Sequence, residues 1–216
     1  MPEGPGSGTR RGGRYHHGEL RAALIEASFD LLAESGLAAF SVAQVARRLG
    51  VSTAAPYRHF PDRDHLVAAV AAQAAAELRE RFVEAAEQAG EDPAERFAAT
   101  AGAYVRFAGT RGAGFDVIFA AELDKLHDEA LADAGRRLMD LLLDLARQAT
   151  GQGPEASLTL VEHHVVAAHG YVALHREGFF ARRYDGVAAT ADRAVAESRT
   201  LLRGMREPLP PPHGAS

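Results

Sequence analysis

Cysteine and tryptophan are both absent from the 216 residues, and lysine occurs once, at Lys125. Without cysteine there is neither a disulfide framework nor a thiolate metal site, which fits a reducing, intracellular setting. No stretch approaches the ~20 consecutive apolar residues of a membrane-spanning helix. The opening MPEGPGSGTRRGG lacks the apolar segment of a signal peptide. A cytoplasmic protein with no membrane partner is therefore expected. Alternating β-branched runs bounded by turns are missing as well, so strands are not expected. The net charge of −5 at pH 7 argues against a globally basic nucleic-acid coat but leaves room for a local basic patch.

Such a patch is present. Arg10, Arg11 and Arg14 precede the first helical pattern, and Arg47, Arg48, Arg58 and Arg63 cluster around GVSTAAPYRHF, Gly50 to Phe60, whereas acids dominate from Glu77 onward. Apolar residues recur at three and four throughout, and the class is read as all-α. From about Tyr15 to Glu34, Leu20, Leu24, Ala27 and Leu31 mark one face, with Ser35-Gly36 as the stop. Ser41 and Gln44 then form a capping box for a short helix that carries Val42, Val45, Ala46 and Leu49 and ends at Gly50.

Pro56 is the informative residue of the next segment. Inside a helix a proline costs ~3 kcal/mol, but in the first turn its missing N–H has little or no partner to lose. The spacing predicts a brief helix capped by Ser52 or Thr53 and ended near Phe60, because Pro61 biases its predecessor away from the α region. Two short helices joined by a glycine-containing turn make a helix-turn-helix, whose second helix enters the DNA major groove. Asp62 caps a long helix through about Ala86, and further helices are expected at about Pro93–Ala108, Phe115–Glu122, Glu129–Ala149, Glu155–Glu177 and Val187–Gly204. The chain is thus divided into a disordered basic arm (1–13), a helix-turn-helix domain (14–61), a helical ligand-binding and dimerisation domain (62–206) and a disordered proline-rich tail (207–216).

FSVAQVARRLGVSTAAPYRHFPDRDHL, from Phe40 to Leu66, resembles the DNA-binding domain of TetR-family transcriptional regulators. AAHGYVALHREG, Ala167 to Gly178, is similar to the HG-containing helix of the WHG-type ligand domain in one branch of that family, with Ala168 in place of the tryptophan. The resemblance implies a homodimer on a double-stranded operator, one recognition helix per half-site, and a C-terminal domain whose small-molecule effector releases the DNA. Val45, Leu49, Val51 and Phe60 must pack on the first helix and on the helix from Asp62. A ligand that shifts this last helix would then change the separation of the two readers, set for half-sites ~34–36 Å apart.

The candidate DNA contacts are Arg14, Ser41, Gln44, Thr53, Ala54, Tyr57, His59 and Arg63, mostly to phosphates, with Thr53 and Ala54 able to touch a thymine methyl. Ser41 and Gln44 equally suit a purely capping role, and Tyr57 a packing one. Tyr57 and His59 are expected to look outward, and Tyr57→Ala and Arg63→Ala to weaken operator binding with little loss of fold. For the effector, Phe82, Phe97, Tyr104, Phe107, Phe115, Phe119 and Leu142 offer an apolar lining or simply core, and His164 and His169 either polar groups in that lining or satisfied core histidines. His163, His164, His169 and His175 lie one, five and six apart, so no two non-adjacent members share the close helical face of a metal-ligand pair. Recruiting His127 and Asp124 does not repair this, and no metal or cofactor is expected. Gly170, within a helix, suggests close approach of another backbone or room for a ligand. Val165, Ala168, Val172, Val187, Ala191, Ala194, Val195 and Leu202 form small or branched faces suited to a four-helix dimer interface. Glu162 or Asp116 beside a histidine is the best acid–base pairing, but no catalytic motif orders them and no catalytic residue is assigned.

Overall fold

The computed structural model describes residues 17–119, 121–180 and 185–206. The expected arm with Arg14 and the expected tail from 207 lie outside them. Among the described residues there are seven α-helices and no strands: α1 (His17–Ala39), α2 (Val42–Arg48), α3 (Arg63–Gln88), α4 (Pro93–Arg111), α5 (Glu129–Thr150), α6 (Pro154–Arg176) and α7 (Gly186–Arg206). Three 3₁₀ segments, Pro56–Arg58, Gly112–Phe119 and Ala121–Leu126, stand where two short helices were predicted. Asp62, Asp92 and Asp128 cap α3, α4 and α5, each carboxylate accepting a first-turn backbone N–H at 2.9 Å. Gly36, at φ 72°, breaks the regular helix of α1 where the stop was expected, a conformation open to glycine at no steric cost.

Two cores form, and α3 belongs to both. Leu24, Ile25, Phe29 and Leu32 of α1, Val42 and Val45 of α2, and Phe60 pack with Leu66, Val67, Val70 and Ala74 of α3. Further along α3, Leu78, Phe82 and Ala86 enter the larger core with residues of α4 to α7. Val117 and Leu123, from the 3₁₀ segments after α4, are buried in the first core, and Ile118 packs against both. The first three helical elements are thus tied to the C-terminal bundle by a continuous helix and by a returning strap.

The faces expected at a dimer interface are used within the protomer. Ala168, Val172, Ala191, Ala194 and Leu202 are all buried, Val165 is half-buried against the same core, and α7 packs most extensively on α4. Val195 and Val187 sit over Gly102 and Gly109 of α4, where a Cβ would come within 2.8 and 2.9 Å of a valine methyl. Seven residues apart, the two glycines open one α4 face so that α7 can approach. The close approach expected at Gly170 is therefore found at Gly102 and Gly109, while a Cβ on Gly170 would have nothing within 4 Å. Gly102→Ala should lower stability by up to ~2 kcal/mol although alanine has the better helix propensity, because an overpacking cost of ~1–3 kcal/mol is set against a gain of ~1 kcal/mol. Urea unfolding checks this, and Val195→Ala in the Gly102→Ala background should recover most of the loss.

Candidate nucleic-acid interface

The segment between α2 and α3 is built by a few hydrogen bonds. Gly50, at φ 68°, ends α2, and the N–H groups of Gly50 and Val51 return to the carbonyls of Arg47 and Ala46 at 3.1 and 3.0 Å, a glycine-based stop. Ala55 N–H then bonds Ser52 O at 3.0 Å. Pro56 has no N–H to continue the series, so a separate turn starts, with the N–H groups of His59 and Phe60 both reaching Pro56 O at 2.9 and 3.0 Å. Neither Ser52 nor Thr53 caps it. The expected reader helix is one 3₁₀ turn preceded by a bend, with Pro56 in its first position.

Burial decides which side chains this turn presents. Pro56 and Phe60 (4% exposed) anchor it in the first core, and Arg21 of α1 lies over the Phe60 ring at 5.1 Å. Thr53, Ala54 and Arg58 are exposed, and Tyr57 is 54% exposed. His59 is half-buried and lines a cleft of about 290 Å³ with Ile25, His65 and Asp128, so it does not look outward as Tyr57 does. Ser41 accepts the Gln44 N–H at 3.3 Å and caps α2, while its hydroxyl donates to Gln44 Oε1 at 3.2 Å, so the Gln44 side chain meets the hydroxyl of the cap residue in place of its backbone N–H. The N–H and ring of His65 hold the Asp62 carboxyl below its ordinary pKa, and Asp62 in turn raises His65.

The clustered arginines divide into two kinds. Arg48 is bound to Glu34 through contacts of 2.6 and 2.8 Å. Arg63, expected to be exposed, is half-buried: it donates to Leu37 O at 2.6 Å and Phe40 O at 3.2 Å and pairs with Asp64. Its guanidinium fastens the start of α3 to the end of α1, where a fork of N–H groups can serve two carbonyls at once. Arg47 and Arg58 are exposed and have no ion-pair partner among the described residues. Sequence reasoning placed both in the basic cluster without choosing them as contacts. Arg63→Ala should therefore cost ~1–2 kcal/mol of stability by unpairing the two carbonyls, and Arg63→Lys should recover only part of it in urea unfolding.

Residues 24–70, which contain α2, the Pro56 turn and the start of α3, match the family described as bacterial regulatory proteins, tetR family, and residues 97–198 match the tetracyclin repressor-like C-terminal domain. An uncharacterized HTH-type transcriptional regulator of Mycobacterium tuberculosis is 31% identical over 137 residues, covering 62% of this chain and 69% of its own length. The chain belongs to the TetR family. A protein with unknown function from Rhodococcus sp. RHA1 has a TM-score of 0.73 at 30% identity, over 90% of this chain and 100% of its own. A TetR family transcription regulator from Marinobacter aquaeolei VT8 shares the fold, with a TM-score of 0.63 at 18% identity over 84% and 94% of the two chains. The protein is thus a transcriptional regulator of the TetR family with DNA as its partner, and no helix among the described residues is long and apolar enough to cross a membrane.

Of the candidate effector residues in this TetR-family chain, Phe82, Phe97, Tyr104, Phe107 and Leu142 are buried in the second core. His164 is 2% exposed with both ring nitrogens engaged, Nε2 to Thr100 Oγ1 at 2.9 Å and Nδ1 to Ser198 Oγ at 2.8 Å. Thr100 gives its one hydroxyl hydrogen to Phe97 O at 2.8 Å, so Nε2 carries the proton and Nδ1 accepts from Ser198. His164 is a satisfied core histidine joining α4, α6 and α7, and burial lowers its pKa to about 3. His169 is exposed, 2.8 Å from the Tyr104 hydroxyl and edge-on to the 49% exposed Phe119. Burial, and then Asp116, raise the Tyr104 phenol well above its ordinary pKa. The Phe115 side chain lies outside the described residues. Phe107 of the candidate set lines the cleft between α3 and α4.

Proposed function

We propose that the chain is a ligand-responsive repressor that binds a palindromic operator as a homodimer in the cytoplasm and is released by a small, largely hydrophobic effector. The observation that carries this reading is the turn at Pro56–Arg58, pinned by Pro56 and Phe60 and offering Thr53, Ala54, Tyr57 and the unpaired Arg58 on one exposed surface. Arg47 extends that surface. Ser41, Gln44 and His59 flank the turn, and Arg63 acts on DNA through the α1–α3 junction that it fastens. Phosphate contacts fix register in such interfaces while few side chains read bases. The His169-Gly170 pair supports the WHG-type branch, and Ala168, in place of the motif's tryptophan, departs from it.

The homodimer is proposed to form on the outward side of α6, where Leu158 (43%) and Val166 (70%) are exposed and Gly170 faces open space. A small residue there lets a second copy approach closely. Enrichment of random duplexes on the purified protein tests the reading. The winners should carry an inverted repeat with half-site centres about one helical turn apart, bound ~10³-fold or more above scrambled DNA. Failure to enrich any duplex, or equal affinity for one half-site and the repeat, overturns it. The dense packing of Phe82 and Phe97, 1% and 0% exposed, favours one other reading, an effector-independent DNA-binding dimer. Thermal shift against a panel of hydrophobic compounds separates the two, since only a ligand-responsive regulator gains stability from its effector.

A further inference from the structure

Between α3 and α4 lies a groove of about 360 Å³ whose floor is Ala85, Ala103 and Phe107 and whose walls carry Arg81, Arg106, Arg111, Glu77 and Glu84. The groove holds three arginines against two glutamates. Glu77 already receives the Nε and NH2 groups of Arg111 as well as Gln73 Nε2 at 3.0 Å. Glu84 is paired with Arg81 at 2.9 Å. Arg106, in contrast, has as its partner Asp192 of α7, outside the groove and at 3.3 Å. Arg81 and Arg106 are 59% and 54% exposed, and such exposed pairs hold their charges only weakly. Three guanidinium groups against two carboxylates, over an apolar floor, suit a compact molecule with an anionic group.

Arg111, at the end of the groove, also holds the DNA-binding helices. It reaches Glu26 of α1 at 3.2 Å and lies 4.4 Å from the Phe29 ring centroid. Gln73 of α3 joins the same Glu26 at 2.6 Å. Arg111 is thus the clasp between α4 and α1, and its guanidinium is on the groove wall. A carboxylate that engages it competes with Glu26 and Glu77.

We infer that the α3–α4 groove is the effector site for a compact aromatic carboxylate, which loosens the Arg111 clasp on α1 and so weakens DNA binding. The regulatory half rests on the repressor reading above, while the binding half does not. Calorimetric titration with 2-naphthoate, 2-naphthalenemethanol and 2-naphthylmethylammonium, which share one ring system, tests the site. The carboxylate should bind about tenfold or more tightly than either of the others. Arg106→Gln and Arg81→Gln, both on the surface, should each weaken 2-naphthoate about threefold or more and leave the alcohol unchanged, with unaltered melting temperatures. Equal affinities for the three probes, no heat with 2-naphthoate at millimolar concentration, or arginine variants that bind like the wild type overturn the site.

For the coupling, 2-naphthoate should lower operator affinity about tenfold in the wild type and not in Arg111→Gln, where the clasp is already open. Unchanged operator affinity in the wild type with 2-naphthoate bound overturns the coupling. If the protein binds DNA but the three probes bind alike, the groove assignment fails and the repressor reading stands. If it binds no DNA, the repressor reading fails and the titrations decide the groove alone.

Discussion

Between pH 7 and pH 4.5 the wild-type protein is expected to lose ~2–3 kcal/mol more stability than His164→Gln, at about 1.4 kcal/mol per pH unit below the unfolded pKa of about 6.5. The cause is the ring held neutral between Thr100 and Ser198, with its pKa lowered by burial to about 3. Below pH 6.5 the unfolded chain takes up a proton at this position and the folded one does not. The contribution is therefore complete above the unfolded value and drains away as pH falls towards the folded one. His65 works in the opposite sense, its raised pKa favouring the folded state at low pH, but it is exposed and screened, and it is present in both proteins. The carboxylates are common to both as well, so the difference between the two proteins isolates His164. At neutral pH the variant should be the weaker by ~2–3 kcal/mol, having exchanged a well-packed ring for a looser amide. By pH 4.5 the two should have nearly converged. Urea unfolding followed by circular dichroism at pH 7, 5.5 and 4.5 measures both quantities, and parallel pH profiles would mean that His164 is solvated in the folded state.

Much of the frame was legible in the sequence because caps and glycines are local signals. Ser41 and Asp62 act through hydrogen bonds spanning three residues, and both start their elements as expected, whereas Pro56 opens a turn of its own without the expected cap at Ser52 or Thr53. The reader is shorter than the spacing predicts. Pro56 was placed correctly in a first turn, but the preceding Ser52–Ala55 bend is a separate turn, since the proline nitrogen cannot carry the hydrogen bond that would merge them. What failed were statements about which partner a face meets. Ala168, Ala191 and Ala194 form a small-residue face that suits another helix, and periodicity does not say whether that helix belongs to the same chain. The deciding signal was on the opposite element, in Gly102 and Gly109 of α4, seven apart and facing Val195 and Val187. Arg63 failed for a related reason. Its position in the motif suggested an exposed cation, while its acceptors, Leu37 O and Phe40 O, lie 26 and 23 residues away in sequence, beyond any local pattern. The Arg111 clasp, with Glu26 at a separation of 85 residues, was out of reach for the same reason.

Tyr57→Phe should weaken operator binding about a hundredfold, and Tyr57→Ala further still, if the phenol of each subunit donates to a phosphate oxygen, since a hydrogen bond to a charged group contributes ~1.5–3 kcal/mol and the dimer loses two. With Tyr57 54% exposed and the turn held by Pro56 and Phe60, neither change should disturb the helical signal or the melting temperature. Arg58→Ala supplies the contrast. Each phosphate neutralised by a cation contributes about 0.9 to the slope of log affinity against log salt concentration, so a dimer that loses two such contacts should have a slope shallower by about 1.8. Tyr57→Phe removes a neutral donor and should leave the slope unchanged while lowering affinity at every salt concentration. Arg48→Ala is the internal control, because that guanidinium is already committed to Glu34, and it should alter the slope least of the reader's arginines. Anisotropy titrations of the enriched duplex from 50 to 300 mM salt, roughly the range over which counterion release is measurable, read all three at once. Should Arg48→Ala flatten the slope as strongly as Arg58→Ala, the Glu34 pair does not survive on DNA and α2 contributes more of the phosphate contact than the Pro56 turn. Should Tyr57→Ala bind as the wild type does, the exposed face of that turn is not the surface that meets the duplex.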